Sequence, residues 1–164
     1  SSDLEAAGAV AEVLAETTDW GPSGLRHSQY AFDVSADEAC LGVLHRAGVA
    51  VLSEESRITG DAGAPVVIVD PVDGSTNASR GVPWFATALC LMVEGRAEVA
   101  LVANHATGQR WRAVVGGGAS LDGRPISTSG LRPDSTFLKI FMITFSPNTT
   151  EVFDCSSPTN ETGS

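Results

Sequence analysis

The chain has 164 residues, of which 20 are acidic and 10 are basic, giving a formal net charge of −10. This length allows one domain with a hydrophobic core but is short for two. The acidic balance argues against nucleic acid or an anionic membrane as a partner, and no apolar run reaches the length that crosses a bilayer.

Two segments near the N-terminus have the spacing of helices. The first, residues 3–17, follows a Ser-x-x-Glu capping box that starts at Ser2. A second capping box at Ser35 predicts a helix that Gly48 ends. Asp37 falls in the first turn of this second helix, where a favourable interaction with the helix dipole is sufficient to explain it.

Two short apolar runs, residues 49–52 and 66–69, predict strands, and both are followed by carboxylates. Glu54 and Glu55 follow the first run, and Asp70 and Asp73 follow the second. The second run is four β-branched residues, a pattern typical of a strand buried on both faces. The connection between the runs, residues 56–65, reads as a loop.

The Asp-Pro-Val-Asp-Gly-Ser segment that starts at Asp70 allows two interpretations. Two like charges at the end of a buried strand repel each other, so we expect a cation between them, and a hard divalent ion such as magnesium suits oxygen ligands. The backbone N–H groups after Asp73 would then point at an anion held by the metal, which suits a phosphate. The same residues are also ordinary turn chemistry before a short helix, residues 75–80.

The remaining pattern is a meander of strands, residues 84–93, 98–104 and 110–115, separated by turns. Three successive glycines, residues 116–118, lack the Lys and Ser/Thr of a phosphate-binding P-loop and predict a hairpin turn. His27, His45 and His105 have no mutual spacing that would build a metal site or a nucleophilic triad.

These residues resemble the magnesium-dependent inositol monophosphatase-like phosphatases. Glu-Glu-Ser at residues 54–56 and the motif at residues 70–75 match two signatures of that family, whereas its C-terminal Trp-Asp motif is missing. Residues 118–126 also resemble a hairpin of the family, so the resemblance covers about residues 4–127. It implies an α+β fold, the N-terminal half of a layered αβαβα sugar-phosphatase fold in which two helices pack on a largely antiparallel sheet.

The resemblance also implies a set of metal ligands. Glu54, Asp70 and the backbone carbonyl of Val72 would hold a first Mg²⁺. Asp70 would bridge to a second ion that Asp73 also holds, and the family's remaining ligand for that ion belongs to the missing motif.

The reaction implied is hydrolysis of a phosphate monoester by a metal-bound water. A carboxylate, Glu54 or Asp37, would activate that water together with Ser75. The family carries an acidic residue in a Val-x-Ala-x-Asp context, which Asp37 matches better than Asp33 does. Four consecutive positions would bind the phosphate: Asp73, Gly74, Ser75 and Thr76.

We therefore expect a small phosphorylated substrate, an inositol or sugar phosphate, and no nucleic-acid or membrane partner; a homodimer stays open. The alternative is a truncated, inactive remnant that retains weak metal and anion binding. Three scattered cysteines without C-x-x-C spacing, and an N-terminus unlike a signal peptide, lead us to expect a cytoplasmic protein.

Composition divides the chain into an N-terminal domain, residues 1–127, and a divergent tail, residues 128–164. Alanine, frequent in the first part, is absent after residue 119. Residues 137–145 could form one more strand or an aggregation-prone segment, and the Ser-, Thr- and Asn-rich residues from 146 onward are expected to be disordered.

Overall fold

The structure is a computed structural model that describes residues 1–25, 29–61 and 63–127. The predictions for the tail and for His27 lie outside these residues. The described part forms three helices and eight strands. The helices are α1 (Ser2–Glu16), α2 (Ala31–Arg46) and α3 (Ser75–Ser79). The strands are β1 (Ala50–Ser53), β2 (Arg57–Thr59), β3 (Val66–Asp73), β4 (Ala86–Val93), β5 (Arg96–Asn104), β6 (Arg110–Val114), β7 (Gly118–Leu121) and β8 (Arg124–Ile126).

The first helix has nearly the predicted extent, but neither predicted capping box is formed. No side-chain hydrogen bond caps α1. The second helix starts at Ala31, four residues before Ser35, because Asp33 accepts a hydrogen bond from the backbone N–H of Tyr30 at 2.9 Å and caps the helix there. The prediction of a start at Ser35 was therefore wrong. Gly48, with φ of +76°, follows the end of α2 as expected.

All eight strands form one sheet in the order β2-β1-β3-β4-β5-β6-β7-β8. Only β1 and β3 run parallel; every other neighbouring pair of these strands is antiparallel. This confirms the α+β class and the largely antiparallel sheet. Two details differ from the prediction: β2 lies in the expected loop, and β3 continues through both Asp70 and Asp73 instead of ending before them.

The hydrophobic core lies between one face of the sheet and the two long helices. Val67 and Val69 of β3 and Leu101 of β5 are buried there against Val10 of α1 and Leu44 of α2. Burial of such side chains stabilises the fold by about 1.5–3 kcal/mol each before the entropy cost is subtracted.

The opposite face of the sheet is uncovered in the part of the chain that the structure describes. Leu52 on β1, Ile68 on β3 and Val102 on β5 are 41%, 44% and 42% exposed. The expectation that β3 is buried on both faces was therefore wrong for the described residues. Its apolar residues alternate between the helix-covered core and this open face, as the two-residue period of a strand requires.

Candidate metal and phosphate site

The parallel pairing of β1 and β3 brings the two acidic strand ends together. Ser53 pairs with Val69, so Glu54 and Asp70 are the next residues of two neighbouring strands at the same edge. The backbone N–H of Glu54 donates to the carbonyl of Val69 at 3.1 Å, which extends the ladder by one bond. Glu54 therefore lies beside Asp70 because of strand register.

A bulge in β3 puts both aspartates on one face of the sheet. Asp70 pairs with Ala88 of β4 and Asp73 pairs with Ala86, with a register shift between them. Residues three apart in a regular strand point to opposite faces, whereas one extra residue restores the same face. Because of the bulge, Asp70 and Asp73 lie on the same face of the sheet although they are three residues apart in the sequence.

The pKa values of Asp70 and Asp73 are both raised. Burial, followed by the neighbouring carboxylates of Glu54 and Asp73, raises the pKa of Asp70 to about 9. Burial and the charge of Glu54 also raise the pKa of Asp73. A hydrogen bond that Asp70 Oδ1 accepts from the N–H of Val72, at 3.1 Å, opposes the rise in the pKa of Asp70 but does not reverse it. A positive charge at this point would relieve the repulsion.

Glu55 is directed elsewhere and hydrogen-bonds to Gln29, whose Nε2 donates to Glu55 Oε2. Of the two adjacent glutamates, Glu54 is therefore the one that interacts with Asp70 and Asp73.

Gly74 turns the chain sharply out of β3 and into α3. Its φ is +90°, and a Cβ atom at this position would lie 2.9 Å from the carbonyl oxygen of Trp84. Only glycine fits both conditions. The short helix predicted at residues 75–80 is present as α3, where the hydroxyl of Ser75 donates to the carbonyl of Val72 at 2.8 Å.

The structure places Asp33 beside Ser75 and Glu54, whereas Asp37 lies beside Ser53. Asp33 is 2% exposed; burial raises the pKa of its carboxyl, the hydrogen bond from the backbone N–H of Tyr30 lowers it, and the charge of Glu54 raises it. The single proton of Ser75 is donated to Val72, and Asp33 Oδ1 is buried without a hydrogen-bond partner among the described residues. Asp37 instead accepts a hydrogen bond from Ser53 at 2.5 Å. The geometry thus favours Asp33 over Asp37, the reverse of the preference drawn from the resemblance.

The donor chemistry fits a hard divalent cation. Glu54, Asp70, Asp73 and the carbonyl of Val72 offer only oxygen atoms, which Mg²⁺ prefers. Burial is the largest cause of the raised pKa of Asp70, and the repulsion by Glu54 and Asp73 that adds to it is what a bound cation would remove. Within residues 1–25, 29–61 and 63–127, however, no group of three or more His, Cys, Asp or Glu side chains is gathered in an arrangement that could hold a metal ion.

The fold is that of solved proteins of the inositol monophosphatase type. The extragenic suppressor protein suhB from Bartonella henselae matches with a TM-score of 0.69 and 28% identity, over 79% of this chain and 53% of that one. The inositol monophosphatase from Anabaena matches with a TM-score of 0.63 and 27% identity, over 77% of this chain and 48% of that one.

The chain belongs to the inositol monophosphatase family, whose model matches residues 8–153. It is 37% identical over 86 residues to a fructose-1,6-bisphosphatase/inositol-1-monophosphatase of Archaeoglobus fulgidus, a match that covers 51% of this chain and 34% of that protein. Over 103 residues it is 32% identical to the Nus factor SuhB of Pseudomonas aeruginosa, covering 60% of this chain and 38% of that protein. The matched segment thus spans between a third and two fifths of these curated relatives.

The names of the relatives differ in substrate, and they include an inositol-1-monophosphatase of Rhizobium meliloti and a histidinol-phosphatase of Chlorobaculum parvum. In the described ranges, no helix is both long and apolar enough to cross a membrane.

Proposed function

We propose that this chain carries the metal-binding and water-activating part of a magnesium-dependent phosphate monoesterase. The observation that supports this most directly is the parallel pairing of β1 with β3, which brings Glu54 beside Asp70, where burial and the Glu54 carboxylate raise the pKa of Asp70 to about 9. Neighbouring carboxylates with a raised pKa are typical of sites that bind a cation.

Glu54, Asp70, Asp73 and the carbonyl of Val72 would hold Mg²⁺. When bound, the ion neutralises phosphate oxygens and makes its water more acidic. Repulsion among the three carboxylates favours exchanging a proton for the cation, so binding would release the proton of Asp70. The carbonyl of Val72 already accepts a hydrogen bond from Ser75, and its second lone pair is available to a ligand.

Asp33 is the carboxylate that would take a proton from the attacking water. Burial raises its pKa, which makes it a stronger base than an exposed aspartate, and Oδ1 is free to accept a hydrogen bond. The oxygen of Ser75 would orient the same water, because its own proton is committed to Val72 and its lone pairs can still accept. Asp37, held by Ser53, would keep a structural role.

The proposed substrate is a small phosphorylated polyol, an inositol or sugar phosphate. Relatives named for inositol monophosphate and fructose bisphosphate support this class. The phosphate would lie against Asp73, Gly74, Ser75 and Thr76, the positions that the resemblance implies.

A second candidate function is a site that binds a divalent ion without turnover. One observation favours it: Asp33, the proposed base, is 2% exposed, so its carboxyl is closed to the water that it would have to activate.

The experiment that separates the candidates is phosphate release from inositol 1-phosphate by the full chain, with and without Mg²⁺. We expect turnover that requires Mg²⁺, is lost in Asp73→Asn and Asp33→Asn, and persists in Asp37→Asn, which keeps an oxygen that can accept from Ser53. Mg²⁺ binding without phosphate release would contradict the proposed activity and favour the second candidate.

A further inference from the structure

Thr87 of β4 lies opposite the bulge that separates the two aspartates. It is 0% exposed and stands between Ala88 and Ala86, the partners of Asp70 and Asp73. Its hydroxyl donates to the carbonyl of Pro71 at 2.8 Å. A bulge leaves a residue of the longer strand outside the regular ladder, so this side-chain bond replaces a ladder bond.

The hydroxyl of Thr87 also contacts Nε2 of His105, at 2.7 Å. A carbonyl can only accept, so Pro71 takes the single proton of the hydroxyl, and Thr87 Oγ1 must accept from His105. His105 therefore carries a proton on Nε2. Burial, and secondarily the charge of Arg110, lower the pKa of this imidazole to about 4, so the ring is neutral near pH 7.

His105 is itself fixed to the sheet. Its backbone N–H donates to the carbonyl of Phe85 at 3.1 Å, and its ring stacks on the ring of Phe85 with centroids 6.3 Å apart. The preceding residue, Asn104, is buried, and its Oδ1 accepts from the backbone N–H groups of the next turn, at residues 106 and 107. The imidazole thus projects from a well-bonded turn at the end of β5.

The carbonyl of Pro71 and the N–H of Val72 belong to one planar peptide unit. Thr87 holds the carbonyl end of that unit, and the N–H end donates to Asp70 Oδ1 at 3.1 Å. If the peptide rotated, both hydrogen bonds would break together. The orientation of the Asp70 carboxylate is therefore connected, through one rigid peptide, to Thr87 and then to His105.

We propose that Thr87 and His105 are positioning residues of the metal site. Their hydrogen-bond chain fixes the bulge of β3 and thereby the direction and spacing of Asp70 and Asp73. The inference rests on the proposed function in one respect, since it takes these two aspartates to be the ligands. Groups that orient metal ligands in this way typically change metal affinity about 10–100-fold when removed.

The test compares two pairs of matched variants in the full chain, with the dissociation constant of Mg²⁺ measured by calorimetry. Thr87→Val keeps the shape and removes the hydroxyl, whereas Thr87→Ser keeps the hydroxyl. His105→Phe keeps a ring against Phe85 and removes the donor, whereas His105→Gln keeps an N–H donor. We expect Thr87→Val and His105→Phe to weaken Mg²⁺ binding about 10–100-fold, and the two conservative variants to retain it.

Unfolding curves of the same samples without metal keep a loss of stability separate from a loss of affinity. A folded Thr87→Val variant that binds Mg²⁺ as tightly as the unmodified chain would overturn the proposal. So would an Nδ1–H tautomer of His105 in the imidazole ¹⁵N spectrum.

The outcomes also separate this proposal from the proposed activity. If the unmodified chain binds Mg²⁺, and Thr87→Val weakens binding, the positioning role stands even where no phosphate is released. If the unmodified chain binds no divalent ion, both the positioning role and the phosphatase proposal fail.

Discussion

Replacing Asp70 by asparagine is expected to change how the metal-free chain responds to pH. In the folded chain the pKa of Asp70 is raised from 3.8 to about 9 by burial and by Glu54 and Asp73. A raised pKa means that the folded state binds the proton more tightly than the unfolded state does. The protonated carboxyl of Asp70 therefore contributes its full stabilisation of the folded state below pH 3.8, and this stabilisation is lost as the pH rises toward 9.

The size of the effect follows from the distance between the two pKa values. Between pH 3.8 and pH 7 the unfolded carboxyl ionises and the folded one does not. In that window the free energy of unfolding falls by about 1.4 kcal/mol for each pH unit, or roughly 4 kcal/mol in total. A typical domain is stable by only about 5–15 kcal/mol, so this loss is large.

An asparagine side chain in place of Asp70 would keep both local interactions without titrating. Its oxygen can accept from the N–H of Val72, and its amide can donate to Glu54. Between pH 4 and pH 7, the free energy of unfolding of Asp70→Asn should fall by roughly 4 kcal/mol less than that of the unmodified chain. We also expect Mg²⁺ to stabilise this variant little. The unmodified chain should gain about 2.7 kcal/mol at a Mg²⁺ concentration 100 times the dissociation constant.

The assay is urea unfolding of the full chain at pH 4, 5.5 and 7, in chelator and in Mg²⁺. Asp61→Asn is the control, because Asp61 is exposed in the connection between β2 and β3. Parallel pH profiles for Asp70→Asn and the unmodified chain in chelator would refute the reasoning, since they would mean that Asp70 does not hold its proton in the folded state.

Three further predictions concern the fold around the site. Leu44→Ala should lower the free energy of unfolding by about 2–5 kcal/mol, because Leu44 is buried in the core; a loss below about 1 kcal/mol in urea would contradict the assigned packing. Gly74→Ala should be more destabilising than Gly95→Ala. Both glycines have a positive φ, but only at residue 74 would the added Cβ lie against the carbonyl of Trp84. Equal midpoints of the two variants in thermal unfolding would show that this contact is unimportant. The folded chain keeps His105 neutral because the pKa of His105 is lowered to about 4, so the unmodified chain should lose about 3 kcal/mol of unfolding free energy as the pH falls from 6.5 to 4. His105→Phe should remove this loss. Metal-free unfolding at pH 7 and pH 4 measures it, and an equal loss in the variant would argue against a buried neutral imidazole.

Much of the fold could be predicted from local sequence signals. Helical spacing, the glycine after α2 and the alternation of apolar residues located both long helices and most strands. The acidic ends of β1 and β3 were also visible, since each carboxylate pair lies within four residues after its apolar run. These features depend on residues a few positions apart, which a sequence displays directly.

The missed features depend on contacts between distant residues. The bulge in β3 forms opposite Thr87 of the neighbouring strand; Pro71 is the one local sign of it, since proline inside a central strand is confined to bulges, but only the pairing with β4 shows that β3 is central. The choice between Asp33 and Asp37 depended on where α2 begins, and the Ser-x-x-Glu spacing at Ser35 pointed four residues too late. The strand β2 is three residues long and mostly exposed, so it had no hydrophobic pattern to reveal it.

The parallel pairing of β1 with β3 has a consequence for how this chain could tolerate length changes. Because Ser53 pairs with Val69, the acidic ends meet through backbone pairing alone, whatever the length of the connection between β2 and β3. Insertions there should cost little, about 0.6 kcal/mol for each doubling of a flexible loop. One residue inserted inside β1 or β3 would instead turn every later side chain of that strand to the opposite face. Homologues should therefore vary in length in the connection and keep both strands free of insertions.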